Sequence, residues 1–515
     1  MIKFLRKENI NKNIIYFSSM VISVILFIWG FFFKDAFESS TNKSLAFITS
    51  NFSWFYMVLM IGFFVFCLYL LFSKYGNIKL GSDDSKPEFS NLSWFAMLFS
   101  AGIGIGLVFW GVAEPLTHFM SPLGEDGGTA SAKIFALKKS FLHWGISAWA
   151  CYASLALSIA YMHFRKGKPA LISSLLIPLI GEKAAKGIIG KVVDILTIFA
   201  TIAGIVTSLG LGTLQINSGL NYLFNIPNSK IVQVVIIAII TVLFLISAST
   251  GVKKGIKILS NGNMLLAVLL LLAAIVIGPT KDMILNLFTG LKAYPGALLS
   301  QINIFVSGSW YEQWTLFYWG WWIAWAPFVA IFIARVSKGR TIREFILGVL
   351  FVPAGFCLIW FSVFGTLGFN VDSAVAMEAI KEVETALFVI FNQYHLGSIL
   401  SVLAILLLFT FFITSADSAT FVLAMIASNG DNKPSTSKKI ILGVIQSLLT
   451  IALLFAGGLK MIQTASIIMA LPFSIIMLAN LVAFLKELKS SEKVENSSLT
   501  CRIKDFFSLK SKTNN

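Results

Sequence analysis

Two apolar stretches of this chain carry aromatic side chains at spacings suited to holding a cation: Trp144, Trp149 and Tyr152 in one, and Trp314, Tyr318, Trp321, Trp322 and Trp325 in the other. At 100° per residue, the second set falls within about 100° of one helix face, and the first within about 140°. Two such helices facing each other would close a box of π-faces around a desolvated cation. The guest that suits this chemistry is greasy and permanently charged, a quaternary ammonium.

Two further stretches could handle polar atoms inside an apolar span. In 100–106, Gly102, Gly104 and Gly106 alternate, and the run ends in Gly111-Val112-Ala113-Glu114-Pro115. Each glycine costs a helix about 1 kcal/mol relative to alanine. Two readings of that cost stay open: a backbone that a ligand approaches, as in the unwound helices of secondary transporters, or close packing of one helix on another. The second stretch is Phe411-Phe412-Ile413-Thr414-Ser415-Ala416-Asp417-Ser418. The Thr414 and Ser415 hydroxyls are neutral oxygen ligands suited to a hard monovalent cation. Asp417 is either a functional group or paired to a polar neighbour.

Composition decides what must carry these groups. Hydrophobic residues make up 57% of the chain and charged residues 12%, and the mean hydropathy is +0.83. The expected class is an all-α polytopic membrane protein. Apolar windows long enough to cross a bilayer lie near 14–33, 53–72, 92–111, 142–162, 192–212, 231–248, 258–277, 314–334, 346–367, 399–420, 440–456 and 465–485, which predicts about 12 transmembrane helices. The first follows Lys3, Arg6, Lys7 and Lys12 and is too long for a signal peptide, so it reads as an uncleaved anchor.

The net charge of +16 does not point to nucleic acid, because its excess sits in alternate loops. Those loops carry Arg165, Lys166, Lys168, Lys183, Lys186 and Lys191; Lys253, Lys254 and Lys257; Arg335, Lys338, Arg340 and Arg343; and Lys433, Lys438 and Lys439. The positive-inside rule makes them cytoplasmic, and an even span count brings both termini there. The mixed segment 281–313 is expected to form an amphipathic helix and loop on the outer surface. The charged tail 486–515 is read as solvated, with contact to anionic membrane lipid as the alternative. Cys67, Cys151, Cys357 and Cys501 have no pairing or metal spacing. His118, His143, His163 and His395 are scattered, with no metal-ligand pair at helical spacing. Neither an enzyme nor a channel with a polar filter is expected, and no cofactor beyond a coupling ion.

Gly-Val-Ala-Glu-Pro after the glycine stretch, the tryptophan-rich run 314–328, and Ile333-Ala-Arg-Val-Ser-Lys-Gly-Arg-Thr-Ile-Arg-Glu-Phe345 together resemble the betaine/carnitine/choline transporter family over nearly all the spans. The resemblance implies LeuT-like inverted five-helix repeats in a bacterial cell membrane, often as a homotrimer. The expected organisation is an N-terminal tail 1–13, two accessory helices in 14–90, a first repeat in 91–280, the outer segment 281–313, a second repeat in 314–485 and the C-terminal tail.

Residue by residue, the resemblance makes Trp144, Trp149, Tyr152 and Trp322 the aromatic box, with Trp321 and Trp325 beside it and Trp319 left to packing. Gly104, Gly106 and Ser208 would meet the substrate carboxylate. Glycine at 106, where choline carriers of the family often have aspartate, favours a zwitterion such as glycine betaine. Thr414 and Ser415, with Phe411 and backbone oxygens near Ala101 and Ile103, resemble the family's Na+ site. A second ion site would use Thr201 and Phe328, but Ile205 stands where its other hydroxyl belongs unless the register slips to Thr197. Glu114 resembles a motif acid near the outer mouth, more often structural than coordinating. The implied activity is Na+ symport of a trimethylammonium zwitterion by alternating access. The alternatives are a Na+-independent carnitine/betaine exchanger, which would place an arginine between residues 192 and 220 where this chain has no basic residue, or a proton-coupled choline transporter.

Overall fold

The structure is a computed structural model that describes residues 13–102, 104–250 and 253–512, with the side chains of all of these except 99–102, 250, 253–257 and 493–512. Lys3, Arg6, Lys7, Lys12, the side chains of Lys253, Lys254, Lys257 and Cys501, and the outer half of the C-terminal charge cluster lie outside the described residues. Fourteen longer helices organise the rest. They are α1 (Ile14–Phe32), α2 (Lys34–Phe72), α3 (Asn91–Gly102), α4 (Ile105–Met120), α5 (Ala130–Trp144), α6 (Ile146–Ala160), α7 (Ile188–Phe224), α8 (Lys230–Thr250), α9 (Lys253–Ile277), α10 (Thr280–Ser300), α11 (Phe317–Val336), α12 (Ile342–Phe369), α13 (Gly397–Ile426) and α14 (Thr436–Lys512). The described residues contain no β-strand, only one isolated bridge between Lys79 and Thr341.

This is an all-α polytopic membrane protein. Ten helical segments among the described residues are long and apolar enough to cross a bilayer. The interrupted pair α3–α4 covers a further apolar window, and α14 holds two windows, joined through non-helical backbone at Gly457 and Gly458. Gly458 has φ +60° and ψ −137°, a region that admits glycine and little else. α10 is too polar to be among the ten; it packs on α5 and α12 through Met283, Asn286, Gly290, Tyr294 and Ala297, which recur at helical spacing.

Burial separates a centre from a periphery. In the most apolar window of 130–165, 94% of residues are buried inside the protein, and 83% in 188–224 and in 309–336, against 28% in 14–32 and 258–277. The outer helices therefore turn apolar side chains toward lipid, while α11 sits in the middle, packed on both α6 and α7. Glycine permits that contact: a Cβ on Gly204 of α7 would stand 2.8 Å from the Trp325 backbone.

Two helix breaks shape the centre. Between α3 and α4, Gly104 is extended (φ −146°, ψ −177°), so the alternating glycines mark a real interruption. The second, at Gly145 between α5 and α6, is one that sequence periodicity misses, since 142–162 reads as a single span. Here the N–H of Ile146 donates to the Tyr294 hydroxyl at 2.7 Å, and a Cβ on Gly145 would come within 2.3 Å of that oxygen and 2.4 Å of the Phe141 carbonyl. α10 thus supplies a partner to backbone freed by the break.

The beginning of the C-terminal tail is not simply solvated. Glu492 pairs with Lys74 and accepts from the Tyr75 hydroxyl at 3.1 Å, and Glu487 pairs with Lys166 at 2.7 Å. Charge complementarity between distant loops, invisible to a local reading, docks it on the protein.

The Gly145 break yields a stability prediction. Gly145→Ala should cost about 1–3 kcal/mol by overpacking, lowering the unfolding midpoint of the detergent-purified protein by several degrees in a thermal size-exclusion assay. Gly62→Ala in α2, with open space around the new methyl, should match or exceed the wild type.

Candidate functional site

The aromatic stripes meet around a partly open cavity. Its lining includes Trp144, Trp149, Tyr152, Trp321, Trp322, Trp325, Gly104, Gly106 and Ser208, together with Leu107, Ala148 and Cys357. The rings stand nearly perpendicular to one another: Trp144 and Trp322 at 4.9 Å and 75°, Trp149 and Tyr152 at 5.5 Å and 81°, Tyr152 and Trp322 at 6.2 Å and 79°. Trp321 stacks on Trp322 at 4.7 Å and 17° and backs it.

Each of three indole N–H groups is tied into the protein. Trp322 donates to the His143 carbonyl at 2.8 Å, Trp321 to the Gly204 carbonyl at 3.1 Å and Trp144 to Glu114 Oε2 at 2.7 Å. An unpaired buried N–H would cost about 1–3 kcal/mol, so these bonds orient the rings and leave π-surface for the cavity. The buried Tyr152 hydroxyl has no hydrogen-bond partner among the described residues, while Ser208 donates to the Gly204 carbonyl at 3.3 Å.

Not all of the predicted stripe reaches the cavity. Trp314 lies in a π-helical turn, Glu312–Leu316, and its ring neighbours that of Tyr318 at 6.4 Å. Trp314 and Tyr318 instead pack against Trp110 of α4. Trp319 points away, donating to Met57 Sδ of α2 at 3.3 Å. Leu107, Ala148 and Cys357 were not foreseen; they are small or aliphatic residues whose type gives no signal. A Cβ on Gly106 would meet Trp321 Cη2 at 2.3 Å and Trp144 Cη2 at 3.1 Å, whereas one on Gly104 would make only ordinary contact with Trp325.

For the expected ion ligands the placement is more mixed. Phe411, Thr414 and Ser415 lie on α13, the first buried and the others half-buried. Ile103 lies outside the described residues, and Ala101 is in the last turn of α3. Thr414 Oγ1 donates to a carbonyl of the preceding turn and accepts from Asn263 of α9 at 2.9 Å. Asp417 accepts from Ser247 at 3.2 Å, the polar pairing that was its alternative reading. Thr201 and Thr197 are buried on α7 and bond back to their own helix. Phe328 packs on Trp325 at 5.7 Å; no hydrogen bond or ring contact joins it to Thr201 among the described residues.

Sequence reasoning missed a buried polar cluster beside the box. Glu114 and His118 stand four residues apart on α4, which does put a metal-ligand pair at helical spacing, and the fold adds His143 from α5. All three are fully buried. Glu114 Oε1 is 2.7 Å from His143 Nδ1 and 3.5 Å from His118 Nε2. Its Oε2 accepts from Trp144 and, at 2.5 Å, from the Tyr318 hydroxyl, and His143 Nε2 lies 3.0 Å from Thr315 Oγ1. One carboxylate thus links α4, α5 and the helix carrying the tryptophan stripe. Only the Glu114–His118 spacing was available to find it.

Residues 14–493 match the model of the betaine/carnitine/choline (BCCT) family of transporters. The chain belongs to that family. It is 48% identical over 497 residues to the glycine betaine transporter OpuD of Bacillus subtilis, with 93% of this chain and 96% of the relative covered. It is 45% identical over 487 residues to a probable glycine betaine transporter of Desulfitobacterium hafniense (93% and 98% covered), and 40% identical over 499 residues to an ectoine/hydroxyectoine transporter of Virgibacillus pantothenticus (95% and 99% covered). It is a transporter rather than an enzyme.

In this BCCT protein the carboxylate link sets a measurable cost. Glu114→Leu strands the Trp144 N–H, the Tyr318 O–H and His143 together, and should destabilise the purified protein by about 3–5 kcal/mol, read as a lowered midpoint in thermal unfolding.

Proposed function

We propose that this chain takes up glycine betaine, or a closely related trimethylammonium zwitterion, by Na+ symport with alternating access, using the aromatic cavity as its substrate site. The observation that carries the reading is the set of perpendicular rings, of which Trp144 and Trp322 have their N–H groups satisfied by protein away from the cavity. A quaternary ammonium donates no hydrogen bond, so its recognition falls to π-faces, worth about 2 kcal/mol or more once desolvated. The names of two relatives support the same substrate class.

The lining favours a zwitterion over a net cation. None of the lining residues carries a formal charge, so an unaccompanied cation would lose hydration without a counter-ion. A zwitterion brings its own. Its carboxylate would meet the free amides at the start of α4, where the helix dipole favours an anion, with Tyr152 and Ser208 as hydroxyl partners. Gly106 supports this: the space a side chain would need there is already held by Trp321 and Trp144.

Na+ coupling is supported by the α13 hydroxyls and by the absence of basic residues from 192–220. Each charge entering across 100 mV supplies about 2.3 kcal/mol, about 50-fold accumulation per ion. Na+ held by Thr414, Ser415 and the Phe411 carbonyl would order the break between α3 and α4, completing the box and favouring closure of the outer side. Inverted repeats, cytoplasmic termini and a homotrimer belong to this proposal too.

Two experiments in proteoliposomes test it. Trp322→Leu should abolish saturable uptake of labelled betaine while a non-saturable leak persists; uptake at the wild-type level removes the box from the mechanism. The Thr414→Ala/Ser415→Ala double variant should raise the Na+ concentration for half-maximal uptake at least about 10-fold, as expected from about 1.4 kcal/mol of lost binding. Wild-type Na+ dependence in that variant, or wild-type uptake without Na+, refutes the symport.

A further inference from the structure

His118 sits where an apolar ring would be the simpler choice. Its ring packs 4.5 Å from Trp314, 5.2 Å from Trp310 and 5.9 Å from Phe135. It is fully buried, and neither ring nitrogen has a hydrogen-bond partner among the described residues. A buried polar group left in that state costs about 1–3 kcal/mol, which a phenylalanine would avoid. The group facing Nε2 is Glu114 Oε1, at 3.5 Å, too far for a hydrogen bond yet suited to two ligands sharing one ion. His143 Nδ1 completes the set: the ligand atoms of the three residues all lie within 4.8 Å of one another.

The surroundings are arranged as a metal's outer shell usually is. A ligating histidine commonly gives its second ring nitrogen to a fixed oxygen, and His143 Nε2 has Thr315 Oγ1 at 3.0 Å. The ligating carboxylate is itself commonly held, and Glu114 Oε2 accepts from Trp144 and Tyr318, leaving Oε1 toward the two imidazoles. Two imidazoles and one carboxylate are a donor set for zinc, which takes three protein ligands and keeps a fourth position for water. A hard cation such as Mg2+ prefers oxygen alone.

We propose that Glu114, His118 and His143 bind a divalent transition-metal cation of the zinc class, and that the bound ion braces α4 against α5 and slows transport. The ion takes the place of the contact between Glu114 and His143. The brace acts beside the box because Glu114 holds Trp144, and in the alternating access proposed above the helices around the box move. Lys139, whose Nζ lies over the Trp310 ring at 5.1 Å, opposes a second cation and lowers the affinity.

The test uses the full-length protein. Zn2+ titrated into metal-free detergent-purified protein should bind with one equivalent per chain by calorimetry, and Mg2+ should give no heat. His118→Phe, which suits the aromatic surroundings, should lose that binding while eluting as the wild type. Thr315→Val, which keeps all three ligands, should weaken it about 10–100-fold. In proteoliposomes, Zn2+ should inhibit wild-type betaine uptake reversibly on chelation, and His118→Phe should shift half-inhibition at least about 10-fold upward. Absence of Zn2+ binding to the wild type, or equal binding by His118→Phe, overturns the site; stoichiometric binding without inhibition overturns the brace. Calorimetry needs no transported substrate, so its outcome is separate from that of the betaine reading.

Discussion

An indole buried in an apolar interior can offer its face to a guest only if its N–H is satisfied somewhere else. In this protein that requirement reaches across the molecule: Trp322 is held by the His143 carbonyl, 179 residues away in sequence, Trp321 by Gly204, and Trp144 by Glu114. Each of these bonds also joins two helices. Orientation of the cavity walls and cohesion of the central helices are therefore one interaction seen from two sides.

Helix interruptions supply what a continuous helix lacks. The break between α3 and α4 leaves the first amides of α4 without an intrahelical partner near the middle of the apolar window, where hydrocarbon tolerates them only if protein or ligand pairs them. The break at Gly145 lets Trp144 and Trp149 belong to different helices, and Tyr294 satisfies the freed Ile146 amide. α10, too polar to be a candidate span, is thereby a structural partner of the box. Around this centre, α1 and α9 remain largely unburied by protein, as helices facing lipid should.

The Glu114 cluster shows how close a stabilising network stands to a functional one. A buried carboxylate that accepts from an indole and a phenol and stands 2.7 Å from an imidazole nitrogen is well compensated. His118, whose ring nitrogens have no hydrogen-bond partner among the described residues, is the member such a network does not need. That mismatch between environment and side chain, rather than proximity of ligands alone, singles the cluster out.

Much of the architecture was legible in residue order. Apolar windows locate the helices because membrane spans must be long and greasy, although those at 92–111 and 142–162 each hold a break. Alternating glycines mark the α3–α4 break, and residue spacing brought Trp321, Trp322 and Trp325 to one face. These are properties set by neighbours within a turn or two. Helical spacing erred at 142–162, where Gly145 and a tyrosine from α10 interrupt what looks continuous. Only the tertiary structure decided that α5, α6, α7 and α11 share a cavity, that Cys357 lines it, and that His143 joins Glu114 and His118. Such encounters depend on which helix faces pack together, and packing is settled by the summed fit of distant side chains rather than by local periodicity.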